Sequence, residues 1–233
     1  MKSTSFLFVL LMCCNFTAQA IQLSTSRIIY NESRKEVLYR ITNSKSSSPY
    51  LVQSWVSTFD SNDATKNFIV TPPLVNMPPD AVNDLRIMFS AHQSLPQDHE
   101  SIFRLNVLSI PAVKDTGSAK VVLTSKASLK LIYRPSGLNS HGAKESLNKL
   151  IVKKMSNKLV LSNPTPYFIS LREASINGKR LMGDQFIKIS TIDPFSTVEV
   201  ENIKVNVSTF DFSAIDDYGA AHSSQIKFDA IRK

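Results

Sequence analysis

Four histidines, His92, His99, His141 and His222, are the side chains best suited to hold a metal or move a proton near neutral pH, and none shares a spacing with another that would make a site. His99-Glu100 opens like the helical His-Glu-x-x-His zinc motif, but position 103 is Phe, so the second ligand is missing. The chain has no Gly-x-Ser-x-Gly elbow, glycine-rich phosphate loop or dinucleotide fingerprint, and six glycines leave little room for one. Both cysteines, Cys13 and Cys14, lie in an N-terminal leader, which rules out thiol catalysis and disulfides in the rest of the chain. These observations predict no catalytic residue, no metal site and no cofactor. The chemistry left to the chain is binding, through charge and through backbone.

The segment best suited to bind through backbone is Ala119 to Tyr133, which reads as a strand of fifteen residues, roughly 50 Å, against a usual length of about 5–6 residues. Period two puts Val121, Leu123, Ser125, Ala127, Leu129, Leu131 and Tyr133 on one face and Lys120, Lys126 and Lys130 on the other. A strand this long does more than close a sheet: any part of it at an edge is a template on which another chain adds a strand.

The N-terminus has Lys2, the apolar run Phe6 to Cys14 and the small-x-small triplet Ala18-Gln19-Ala20, the grammar of a secretory signal cleaved near Ala20. Its nine-residue apolar run is too short to span a bilayer, so no membrane insertion is predicted. Without Lys2 the chain carries 26 basic and 19 acidic residues, a formal charge of +7. No run of Lys or Arg exceeds two, and this scatter argues against a nucleic-acid site.

Stepping through the chain, short runs rich in β-branched and aromatic residues recur between Pro, Asn, Asp and Ser: Arg27 to Tyr30, Val37 to Ile41, Leu51 to Val56, Phe68 to Val70, Leu85 to Phe89 and Ile102 to Leu108. After a polar stretch at Ser136 to Gly142 and a turn of helix at Gly142 to Leu150, strands are predicted again at Leu159 to Leu161, Phe168 to Ala174, Phe186 to Ile189 and Val198 to Val200. Pro72-Pro73 and Pro78-Pro79 keep Leu74 to Met77 out of a sheet interior. This spacing predicts an all-β sandwich class, with a domain boundary after Pro135.

Several segments, in order, carry a family resemblance: Thr25 to Tyr30, Pro49 to Trp55, Thr71-Pro72-Pro73, Leu95 to Phe103, Leu105 to Pro111, Leu129 to Pro135, Asn163-Pro164-Thr165-Pro166-Tyr167 and Asp217-Tyr218-Gly219. Together they resemble the periplasmic chaperones of the chaperone–usher pilus pathway and cover nearly the whole chain beyond the leader. The resemblance implies two immunoglobulin-like β-sandwich domains arranged around a cleft, residues 21–137 and 138–233 after a signal peptide at residues 1–20. Strand addition by this chaperone family and its sandwich fold are well-known examples of their kind.

The resemblance also implies roles. Arg27 and Lys130 match the pair that anchors a pilin's C-terminal carboxylate, and two cations on one carboxylate form charge-assisted bonds of about 1.5–3 kcal/mol each. Val121, Leu123 and Ser125 match the donor positions that fill a subunit's open groove, with Ser125 smaller than the apolar residue usual there. Glu100, Arg134 and Asp217, with Arg86 as a further neighbour, match an interdomain charge network. Arg104 stands where the family has a large apolar residue, and the resemblance gives it no role. The short connection after Pro111 and the absence of a cysteine pair match the short-loop branch. The implied partners are pilin subunits and an outer-membrane usher in the periplasm, with self-pairing of the free chaperone to hide its edge. A secreted immunoglobulin-like adhesion or receptor module is the rival reading, for which Asn31-Glu32-Ser33 and Asn206-Val207-Ser208 would be glycosylation sites.

Overall fold

The computed structural model describes residues 21–45, 47–112, 121–203 and 206–228. The predicted signal segment therefore lies outside the described residues, as does the 119–120 end of the predicted long strand. Two cores share no residue. The first gathers side chains from Ile28 to Tyr133, and the second from Leu147 to Ala214.

Among the described residues of the first half, nine strands form two sheets. One is β1 (Ile21–Leu23), β3 (Val37–Asn43), β7 (Val82–Phe89) and β5 (Phe68–Thr71), in the order β1-β3-β7-β5. The other is β2 (Arg27–Asn31), β9 (Ser125–Arg134), β8 (Ser101–Pro111), β4 (Tyr50–Thr58) and β6 (Leu74–Met77), in the order β2-β9-β8-β4-β6. Alternation decides which side faces the core: along β4, Val52, Ser54 and Val56 are buried, whereas Leu51 and Gln53 are exposed. Between the sheets Tyr30 stacks on Tyr133 at 6.2 Å, and Phe68 meets Phe103 edge to face at 5.0 Å. The proline-flanked segment is the edge strand β6, which pairs with β4 alone.

The second half opens with a short helix α1 (Ser140–Ser146), capped by the Asn139 side chain, and a 3₁₀ turn (Leu147–Lys149). Its sheets are β10 (Ile151–Lys154), β11 (Leu159–Asn163) and β15 (Ser196–Val200), and β13 (Lys179–Arg180), β12 (Ile169–Ile176), β16 (Thr209–Ile215) and β17 (Ala221–Lys227), with β14 (Thr191–Ile192) also on β12.

Two sequence expectations need correction. Phe186 to Ile189 is not a strand but the end of a helix, α2 (Gly183–Ile189). A strand would set Ile187 and Ile189 on one face, whereas the core takes Phe186 and Ile189, three apart as on a helix, and leaves Ile187 exposed. The long strand is also shorter than expected: β9 begins at Ser125, and residues 121–124 have no strand partner among the described residues. Its register with β8 ends at Ser109↔Ser125; carried further, Leu123 would oppose Pro111, which has no amide hydrogen to continue the ladder.

Each half is stapled by one buried asparagine followed by a Pro-Tyr pair. Asn43 donates from Nδ2 to the carbonyls of Ser48 (2.9 Å), Met77 (3.0 Å) and Pro78 (3.1 Å), and Asn163 to those of Tyr167 (2.8 Å) and Asp193 (2.9 Å). Removing such a donor leaves buried carbonyls unpaired at about 1–3 kcal/mol each. We expect Asn43→Ala and Asn163→Ala each to cost about 2–3 kcal/mol in their own half. Trp55, the chain's single tryptophan, sits in the first half. In urea unfolding, Trp fluorescence should shift for Asn43→Ala and stay in place for Asn163→Ala, while far-ultraviolet circular dichroism registers both; equal fluorescence shifts would show that the halves unfold as one.

Candidate functional site

Strand β9 has neighbours of different length on its two sides. β8 pairs with it from Ser125 to Tyr133, but β2, running parallel to it, begins only at Arg27↔Lys130. Among the described residues, the edge from Ser125 to Leu129 therefore has no neighbour on the β2 side. An unpaired row of N–H and C=O groups is an invitation to another strand. Before this edge, Val121 is 88% and Leu123 81% exposed, so neither is sealed in a core. The register with β8 is unbroken, which keeps Ser125 on the inward face with Ala127 and Leu129.

The edge ends at cations. Arg27 and Lys130 are register partners on adjacent strands about 4.8 Å apart, so both side chains leave the same face of the sheet. That face meets the second half: Arg27 donates from Nη1 to the Ile215 carbonyl at 3.0 Å, and the Lys130 amine donates to Ser170 Oγ at 2.9 Å and Thr191 Oγ1 at 2.6 Å. Neither cation has a carboxylate within ion-pair distance among the described residues, and the buried Nε of Arg27 has no acceptor there. Burial pushes the Lys130 amine down to about 8, and the cations of Arg27 and Arg104 push the same way. Burial lowers Arg27 as well, opposed by the fields of Asp217, Asp216 and Glu100.

One turn further along β9, Arg134 is buried between carboxylates from both halves. Its Nε donates to Glu100 at 2.6 Å and its two terminal nitrogens to Asp217 at 2.7 and 2.9 Å, while its guanidinium carbon lies 5.5 Å from the Tyr167 ring centroid. Glu100 also accepts from the Phe168 amide at 2.8 Å, and its own amide donates to the Pro166 carbonyl at 2.9 Å. Burial disfavours the Arg134 charge, but Asp217 and Glu100 outweigh it and hold the guanidinium above its ordinary value. Burial pushes the Glu100 carboxyl up against the pull of Arg134 and the Phe168 amide.

Arg86 does not belong to this group. It lies on β7, in the other sheet of the first half, where its half-exposed side chain pairs with Glu36 at 3.0 Å.

Sequence reasoning missed Ser170, Thr191 and the Ile215 carbonyl, which come from elements with no charge signal. It also missed Asp216, whose carboxylate accepts from the Tyr218 and Ala220 amides, each at 2.9 Å, and from His222 at 2.8 Å, shaping the hairpin that presents Asp217. Gly219 sits in that hairpin at φ +87°, where a side chain is strained, so Asp217-Tyr218-Gly219 was a readable signal for the turn.

Comparison with known proteins fits this architecture. Residues 20–139 match the N-terminal domain model of the pili and flagellar-assembly chaperones of the PapD type, and residues 145–226 match the C-terminal domain model of the PapD pili assembly chaperones. The chain is 32% identical to the chaperone protein LpfB of Salmonella typhimurium over 226 residues, covering 94% of this chain and 93% of LpfB. The crystal structure of the YadV chaperone superposes with a TM-score of 0.71 at 31% identity, covering 89% of this chain and 99% of that one. A chain from the Salmonella enterica complex of the SafA pilin with the SafB chaperone shares the fold, with a TM-score of 0.79 at 23% identity over 91% of this chain and 98% of that one. By both halves of its sequence, and by relatives that match it almost end to end, the chain belongs to the PapD-like family of pili assembly chaperones.

Proposed function

We propose that the protein is a periplasmic chaperone that stabilises pilin subunits by lending them the edge of β9 and passes them to an outer-membrane usher, and that it acts as a binder with no catalytic step. The observation that carries this reading is the place where the open edge stops. A strand laid along Ser125 to Leu129 runs into the start of β2, so it must turn away or end there. If it ends there as a chain terminus, its carboxylate meets Arg27 and Lys130. A C-terminus at that point also makes the incoming strand parallel to β9. Val121 and Leu123, exposed and aligned with the inward face of β9, then fill the partner's open groove, with Ser125 as a small third contact. Solved complexes that share this fold, in which a chaperone is held with a pilin or a tip adhesin subunit, support the same reading.

In this reading Glu100, Arg134 and Asp217 lock the angle between two domains that meet near residues 137–138. The free edge of β9 also gives the empty chaperone a means of pairing with a second copy.

Three outcomes test these assignments. Lys130→Met should abolish recovery of a co-expressed subunit while the chaperone itself keeps its circular dichroism and is at least as stable as the parent at pH 7; stable subunit with that variant would remove the anchor. Arg134→Leu leaves the Glu100 and Asp217 carboxylates facing each other without a cation and should lower stability by about 3–5 kcal/mol in urea unfolding, well beyond the cost of Glu100→Gln. The amine of Lys130 gives up its proton near 8 when folded and near 10.5 when unfolded. Its charge therefore costs stability below pH 8, and that cost is relieved as pH rises from about 8 to 10.5. A bound carboxylate restores the charge. Subunit binding at pH 8.5 should take up protons, read as a dependence of the calorimetric enthalpy on buffer ionisation heat, and this uptake should vanish in Lys130→Met.

A further inference from the structure

Arg104 is a third cation in line with the other two. It is the register partner of Lys130 on β8, as Arg27 is on β2, so Arg104, Lys130 and Arg27 form one row across three adjacent strands on the face that meets the second half. Direct cross-strand partners hold their side chains about 4.5–5.5 Å apart, which makes the row about 10 Å long. On the far side of Arg104 the row ends at the neutral, buried Ser57.

Like charges directly opposite one another destabilise a sheet. For Arg27 the fields of Asp217, Asp216 and Glu100 offset part of this cost. Lys130 faces only the hydroxyls of Ser170 and Thr191, and Arg104 has no carboxylate partner among the described residues. What holds Arg104 is the ring of Phe59, 4.4 Å from its guanidinium carbon. A cation stacked on a ring keeps its planar N–H edges available for an acceptor.

One terminal carboxylate, seated between Arg27 and Lys130, leaves Arg104 about 5 Å to the side with no counter-charge. We propose that Arg104 binds a second carboxylate of the partner, so that the site selects subunits whose last or penultimate residue is acidic. This inference rests on the carboxylate-anchor reading and adds a specificity-determining residue to it.

The probes are glutarate, whose two carboxylates lie about 5 Å apart in reach of both cations, and butyrate, a single carboxylate of similar length. Each is titrated into the mature chain at pH 7 and followed by NMR shifts of the cleft residues. Glutarate should bind about fivefold to tenfold tighter than butyrate, beyond the twofold expected from having two ends. Arg104→Leu, which keeps an apolar contact with Phe59, should reduce that preference to about twofold, and Arg104→Lys should restore part of it. A preference that survives Arg104→Leu, or one no greater than twofold in the parent, overturns the proposal while leaving the anchor intact. Butyrate affinity unchanged in Lys130→Met, or no shift with either acid, overturns the anchor and the proposal with it.

Discussion

Everything at the site follows from a mismatch of lengths around β9. The strand is ten residues long, and its neighbour β2 covers only the last five of them. Where both neighbours are present, Leu131 and Tyr133 close the core of the first half, with Tyr133 stacked on Tyr30. Where β2 is missing, the same backbone offers hydrogen bonds that nothing in the described chain accepts. The rigid end holds the open end in place, because both are one continuous ladder on β8. An unpaired edge is normally a hazard that proteins blunt with charge or bulges, and here Lys126 and the terminal cations give it partial protection while leaving the backbone accessible.

The junction of the two halves supplies what the sheet lacks. A row of three cations on a sheet face exposed to water would cost little, but this face is covered, and burial raises the cost of each charge. The second half offsets part of it with a carbonyl from Ile215 and hydroxyls from Ser170 and Thr191, all neutral groups. Full neutralisation is reserved for Arg134, which carries a carboxylate from each half. The two parts of the junction therefore differ in kind. The charge cluster ties the halves together through Arg134, and Arg27 and Lys130 have no carboxylate partner among the described residues.

Much of this was readable from residues. Alternation along the long strand set Leu129, Leu131 and Tyr133 on one face, and all three pack on the first core; the family pattern picked out Arg27, Lys130, Glu100, Arg134 and Asp217, which the fold gathers at one junction. The failures have physical causes. An apolar run as short as Phe186 to Ile189 suits a strand or a helix equally, and only the core shows that residues three apart are buried together. β17, Ala-His-Ser-Ser-Gln-Ile-Lys, is too polar to signal a strand and is held by its ladder on β16. Arg86 was drawn toward the charge network by sequence alone, but it belongs to the other sheet and finds Glu36 there. Arg104 had no meaning until the register set it opposite Lys130, because cross-strand neighbours are invisible in a linear chain.

The register also bears on the proposed complex, in which an anchor and a donor row share one strand. Side chains of a β-strand alternate with period two, so a slip of one residue turns every side chain of an added strand to the wrong face. Backbone hydrogen bonds alone do not prevent such a slip, since each residue offers the same donor and acceptor. A terminal carboxylate exists only once in a chain, and in the proposed complex the cation pair at Arg27↔Lys130 would set where that end lies. The unbroken ladder on β8 ties Ser125 to the register of Lys130, and Val121 and Leu123 precede it at the same period-two spacing. In the proposed complex the electrostatic contact would select the alignment, and the apolar side chains would supply affinity only in that alignment.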